Sequence, residues 1–161
     1  MQHQSMSICL WFDTEAEEAA TLYTTLFKNS TLGAISRYGK EGFEFHGKPE
    51  GTAMTVSFTL NNMKMMALNG GPQFKFNESV SIVVSCETQE EIDHYWNGLT
   101  ENGGQEGPCG WLKDKFGVSW QIVPAVLGKY LSNAGKAPKV TQAFMQMKKF
   151  DIQKLTEAYN G

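Results

Sequence analysis

Alternating polar and apolar positions mark the first ordered element. From Ser7 to Phe12, the residues Ile8, Leu10 and Phe12 alternate with Ser7, Cys9 and Trp11, the period of a strand with one buried face. Thr14-Glu15-Ala16-Glu17 reads as a capping box, with Thr14 serving the third amide of a helix and Glu17 reaching back. Ala19, Leu22, Tyr23, Leu26 and Phe27 then recur at helical spacing, and Asn29-Ser30 ends the run. Thr31 to Tyr38 predicts a strand, followed by a Gly-rich loop to Gly51. Thr52 to Leu60 and Met63 to Asn69 predict two more strands, joined at Asn61-Asn62, a tight hairpin signal. Gly70-Gly71-Pro72 closes this half.

The second half begins in the same way. Val80, Ile82, Val84 and Cys86 alternate with Ser79, Ser81, Val83 and Ser85, and Thr88-Gln89-Glu90-Glu91 is a second capping box. An offset of 74 residues lays Ser7 on Ser81, Ile8 on Ile82, Leu10 on Val84, Phe12 on Cys86, Thr14 on Thr88, Glu17 on Glu91 and Leu22 on Trp96. Gly103-Gly104 makes a turn, and Trp111 to Asp114 and Val118 to Val123 form a hairpin around Lys115-Phe116-Gly117. The pattern predicts a strand–helix–strand–strand–strand module used twice. Three helices are expected in the tail: Pro124 to Leu131, Pro138 to Lys149, and a last one capped by Asp151 that carries Ile152, Leu155, Ala158 and Tyr159. The expectation is therefore a single α+β domain over residues 1–161. Module one spans about 7–72, module two about 78–124 and the C-terminal helices about 124–160.

Composition narrows the function classes. The 161 residues are 41% hydrophobic and 19% charged, with a net charge of −3. Such a chain can build a core, but offers no field for holding nucleic acid or an anionic membrane. Three cysteines, Cys9, Cys86 and Cys109, are widely spaced with no CxxC, which argues against structural zinc and a disulfide framework. Reduced thiols suit a cytoplasmic protein. No apolar run approaches the ~18 residues of a membrane span. Met1 to Ser5 reads as a short disordered lead. His3, His46 and His94 fall in that lead, a loop and a helix, so no Ser-His-Asp or Cys-His pairing follows from spacing.

The doubled module resembles the vicinal-oxygen-chelate superfamily, the fold of glyoxalase I, bleomycin-resistance proteins and extradiol dioxygenases. More narrowly, the chain resembles the PhnB-like group, also labelled the 3-demethylubiquinone-9 3-methyltransferase domain. The resemblance is carried by Leu10-Trp11-Phe12-Asp13 with Ala16-Glu17-Glu18-Ala19, by Ala67-Leu68-Asn69-Gly70-Gly71-Pro72, by the segment from Cys109 to Gln121, and by Met147 to Ile152. It implies two βαβββ modules side by side, their sheets curled into an open, cup-like barrel with helices outside. It also implies a homodimer. Metal-binding members place one His, Glu or Gln on the first and last strand of each module. Here the matching positions offer Ser7 (Ile8 if the register slips), the stretch Met66 to Asn69, Ser79 or Ser81, and Gln121. Neutral hydroxyls and amides hold a divalent ion weakly. The expectation is therefore no metal and no cofactor.

Strand alternation puts Ser7, Cys9 and Trp11 on the cup face and turns Trp120 away from Gln121, toward packing. The candidate ligand-binding residues are Trp11, Asn69, Ser79, Ser81, Trp111 and Gln121, with Trp11 and Trp111 as an aromatic wall. Asn69 before two glycines also reads as a turn former, and Cys109 between Pro108 and Gly110 as a thiol near backbone amides. The eight methionines read as gap-filling core or as an adaptable pocket. Four functions compete. A metal-free protein binding a small, partly aromatic or planar molecule ranks first. A metal-dependent glyoxalase- or dioxygenase-type enzyme is the alternative. Methyl transfer, as the family label implies, ranks lower, because the isolated pairs Gly70-Gly71 and Gly103-Gly104 lack the Gly-rich turn of a nucleotide site. An interaction protein with a filled cup is the fourth.

Overall fold

The computed structural model describes residues 6–161; the expected lead Met1 to Ser5, with His3, lies outside the described residues. The chain divides into two compact units, one ending at Lys75 and the other beginning at Phe76. No helix among the described residues is long and apolar enough to cross a membrane.

The first unit is one open four-stranded sheet of order β1-β4-β3-β2, with β1 Ile8–Phe12, β2 Thr31–Arg37, β3 Ala53–Leu60 and β4 Met63–Asn69. β1 runs parallel to β4 and the other pairs are antiparallel. Helix α1, Ala16–Leu26, lies on one face. Its inward stripe is Ala16, Ala19, Ala20 and Tyr23, and the three alanines bring the helix close to Leu10, Phe12, Val56, Phe58, Met65 and Ala67. The Asn61-Asn62 turn has φ of 44° and 66°, the left-handed pair that a two-residue hairpin requires. Within the Gly-rich loop sits a short helix not anticipated from the pattern, α2, Phe43–His46.

The second unit repeats the topology. Its sheet has order β5-β8-β7-β6, with β5 Ile82–Cys86, β6 Gln105–Glu106, β7 Trp111–Lys113 and β8 Ser119–Pro124, and again the first and last strands are parallel. Helix α3, Gln89–Thr100, buries Ile92, Tyr95, Trp96 and Leu99. Trp120 is fully buried and donates its indole N–H to Asp114 Oδ2 at 2.8 Å, so it faces packing as alternation required. The strands obey the 74-residue offset, Ile8–Phe12 onto Ile82–Cys86, but the buried helix stripes are displaced by two further residues.

That slip has a cause in the caps. Thr14 does not cap α1; the Ala16 N–H instead donates to Asn69 Oδ1 at 2.8 Å, across 53 residues of sequence. Ala16, the first helical residue, is thereby held against the sheet and fully buried. In the second unit the residue at the matching end of the last strand is Pro124, which has no amide side chain. The cap comes from Thr88, whose hydroxyl accepts from Glu91 N at 3.2 Å, while Glu91 reaches back to Glu87 N.

In the tail, α4 spans Val126–Ser132, α5 Ala137–Phe144 and α6 Ile152–Asn160. The expected helix from Pro138 to Lys149 stops at Phe144. The Met147 and Lys148 carbonyls are needed by the N–H groups of Cys109 and Gly110, at 2.8 and 2.7 Å, and Phe150 packs on Gly110, where a Cβ would collide with its ring. Asp151 caps α6 as expected, accepting from Lys154 N at 3.0 Å.

The caps make a direct prediction. Asn69 is buried, and its Nδ2 also donates to Ala53 O at 2.9 Å. Asn69→Ala strands two buried backbone groups and should cost about 2–4 kcal/mol in urea unfolding. Thr88→Ala should cost about 1 kcal/mol, and Thr14→Ala less than about 0.5 kcal/mol. Equal losses at Thr14 and Asn69 would contradict the assignment.

Candidate functional site

The sheet face turned away from the helix carries Trp11 in the first unit and Trp111 and Gln121, with Ser81 beside them, in the second, whereas Asn69 lies on the helix side of its sheet. On the second sheet, Gln105, Lys113 and Ser119 form one cross-strand row, with Ser81 the next residue out beside Ser119. The row behind it is Trp111, Gln121 and Val83. Gln121 donates its amide N–H to Ser81 Oγ at 2.8 Å, which fixes the side chain and leaves its carbonyl oxygen and the Ser81 hydroxyl proton for other partners. Beside Trp111 is a hollow of about 390 Å³, lined also by Gln105, Pro108, Lys113 and Ser119. Lys113 is neutralised there by Glu78 at 2.6 Å, and the Glu78 carboxyl is held below its ordinary pKa by that contact.

The first sheet carries a second hollow, of about 300 Å³, in the same place. The register matches Thr31 to Gln105, Ser57 to Trp111, Thr59 to Lys113 and Lys64 to Ser119, and all eight residues line the two hollows. A glycine shapes each one. A Cβ on Gly33 would meet Ser57 O at 2.9 Å, and a Cβ on Gly107 would meet Trp111 O at 2.9 Å. These two glycines also obey the 74-residue offset. That shared offset is the signal by which the sequence could have revealed them, since each sits where an edge strand bends against its neighbour.

The structure brings together three of the six expected ligand residues: Ser81, Gln121 and Trp111 lie on adjacent strands of one face. Ser79 is not with them. β5 begins at Ile82, and Ser79 lies in an exposed turn where Asn77 Oδ1 receives both its N–H and its hydroxyl. Val80, expected on the core face, is 72% exposed for the same reason. Trp11 and Asn69 belong to the first unit. Trp11 donates to Gly71 O at 2.9 Å, packs edge-on against Phe74 and covers Gly70. Asn69 has both side-chain amide groups engaged by backbone, and its carbonyl accepts from Tyr38 OH at 2.7 Å.

The thiols differ in chemistry. Burial pushes the Cys86 thiol up to about 12, with the Glu91 carboxylate adding to the effect. Burial also raises Cys9. Cys109 has φ of 54° and points its sulfur at Phe144 O and Met145 Sδ, 3.7 and 3.9 Å away. Among the described residues no three His, Cys, Asp or Glu side chains gather where they could hold a metal ion. The positions that the resemblance matches to metal ligands, Ser7 or Ile8, the stretch Met66 to Asn69, Ser79 or Ser81, and Gln121, carry no imidazole or carboxylate. Hydroxyls, an amide and a thioether do not suit a divalent ion.

The profile of the 3-demethylubiquinone-9 3-methyltransferase family matches residues 4–123. The chain belongs to that family. Among solved structures, this family member is similar to a PhnB protein from Bacillus cereus that carries the same methyltransferase label. The two share 36% identity over 76% of this chain and all of that one, with a TM-score of 0.66. Protein PA1353 from Pseudomonas aeruginosa is 22% identical over 74% of this chain and 98% of its own, at a TM-score of 0.58. The fosfomycin resistance protein FosX from Listeria monocytogenes is 15% identical, over 76% of this chain and 93% of its own, at 0.52. That FosX structure is of a point mutant, in complex with Mn(II) and 1S,2S-dihydroxypropylphosphonic acid. At those identities the last two show a shared fold alone. No curated protein matches the chain. This PhnB-like chain thus has the glyoxalase/bleomycin-resistance fold of the vicinal-oxygen-chelate superfamily, with C-terminal helices added.

Two measurements check the geometry. Gly33→Ala and Gly107→Ala should each lower stability by about 1–3 kcal/mol, whereas Gly128→Ala, with nothing within 4 Å of its Cβ on helix α4, should raise it by up to ~1 kcal/mol. Thermal unfolding of the three variants reads the contrast. Alkaline unfolding tests Cys86. Below about pH 9 folded and unfolded chains both keep its proton. From about 9 to 12 only the unfolded chain loses it, so stability falls as pH rises through that window, by up to ~1.4 kcal/mol per unit. Cys86→Ala should lose this part of the slope.

Proposed function

We propose that this PhnB-like chain is a binding protein that holds a small planar or partly aromatic molecule in the hollow of its second sheet, without a divalent metal. The observation that carries this reading is the composition of that face. Trp111 forms a wall beside a hollow of about 390 Å³, and on the same face, next to the residues that line the hollow, the Gln121–Ser81 pair offers one acceptor and one donor. A flat apolar ligand gains most from stacking on an indole, and a fixed amide–hydroxyl pair sets its orientation. The neighbouring cation, Lys113, is already paired with Glu78, so a neutral ligand meets no unbalanced charge.

Calorimetric titration with 2-naphthol tests the reading. Saturable binding is expected, weakened about tenfold or more in Trp111→Ala. Gln121→Ala should weaken it less, with unfolding midpoints close to the parent in both variants. Unchanged affinity in Trp111→Ala would contradict the proposal. Titrations with S-adenosylmethionine and with Mn(II) discriminate the alternatives. Tight binding of the first would favour methyl transfer in line with the family label, and naphthol binding that requires the second would favour a metal-dependent enzyme.

A further inference from the structure

The two hollows occupy one position in the repeat but differ in charge, and the first is not accounted for by the ligand reading above. Its outer row is Thr31 on β2, Thr59 on β3 and Lys64 on β4, with Ser7, just before β1, next in line beside Lys64. Behind that row lie Gly33, Ser57 and Met66, so one short side chain and one missing one leave the space open. In the second unit the row's lysine is neutralised by Glu78 at 2.6 Å. Lys64 has no carboxylate partner among the described residues, and the hydroxyls of Ser7, Thr31, Ser57 and Thr59 donate to no protein group there.

We propose that the hollow of the first unit is a second ligand site, for a small organic anion whose carboxylate or phosphate head meets Lys64 and the neighbouring hydroxyls and whose apolar body lies on Met66. An ammonium and several uncommitted hydroxyl donors converge on one hollow, the arrangement that recognises an oxyanion. Met66 gives the hollow one apolar wall, which suits a short carbon body beside the charged head. The flexible thioether of Met66 adapts to its shape. The site stands on residues of the first unit alone and does not depend on binding beside Trp111.

Nuclear magnetic resonance titration with benzoate, against neutral benzamide at equal ionic strength, tests this. Benzoate is expected to shift the amides of Ser7, Thr31, Ser57, Thr59 and Lys64 saturably and to bind about fivefold more tightly than benzamide, the preference expected of one partly screened ion pair. Lys64→Met, a surface change that leaves the fold intact, should remove the preference, while Lys75→Met retains it. Trp111→Ala should leave both the shifts and the preference unchanged even if naphthol binding is lost. Equal binding of benzoate and benzamide, a preference that survives in Lys64→Met, or shifts that vanish in Trp111→Ala would each overturn the proposal.

Discussion

In both sheets an edge-strand glycine rests against a carbonyl of the neighbouring strand, Gly33 on Ser57 and Gly107 on Trp111. A side chain at either place would have to push the two strands apart. The glycine lets them stay close and removes the one residue that would have filled the face beside it. The other face cannot host the same feature. There the helix presses Leu10, Phe12, Val56 and Phe58 in one unit, and Leu112, Trp120 and Ile122 in the other, into closed packing. Each module thus has one closed face and one open face, and the same backbone contact fixes the division twice.

What surrounds the two hollows then decides the chemistry. Around Gly107 the sequence places an indole and an ion pair that cancels itself. Around Gly33 it places hydroxyls, one thioether and an uncompensated ammonium. Duplicated modules with one frame and different linings are suited to holding two unlike groups. The vicinal-oxygen-chelate fold, seen with Mn(II) and a phosphonic acid in FosX, supplies the frame here, but Ser7, Met66, Ser81 and Gln121 are poor donors for a divalent ion.

Much of this is legible in the chain. The doubled module follows from alternation and a common offset, because a strand with one buried face must repeat every two residues. The Asn-Asn turn and the Asp151 cap are local rules satisfied locally. The failures are non-local. Thr14 fits the short-range rule for a cap, but Asn69, 53 residues away from Ala16, wins because it is buried on the adjoining strand and cannot leave its amide unpaired. Periodicity overextends the middle tail helix because nothing near Met147 announces that Cys109 and Gly110 require its carbonyl and that of Lys148. At the site, strand parity is enough to find Trp111, Gln121 and Ser81. It misplaces Ser79 because the serine–valine alternation continues past the point where Asn77 turns the chain. The hollows themselves are invisible to it, since an absent side chain leaves no signal in a periodicity.

The open face of the second sheet is proposed to take an organic molecule and not a metal. A crystallographic soak with 2-naphthol in the presence of Mn(II) tests both parts at once. The expected result is the ring stacked on Trp111 and no anomalous manganese peak at Gln121. A manganese ion coordinated by the Gln121 side chain and the strands beside it, with Trp111 bare, would contradict it.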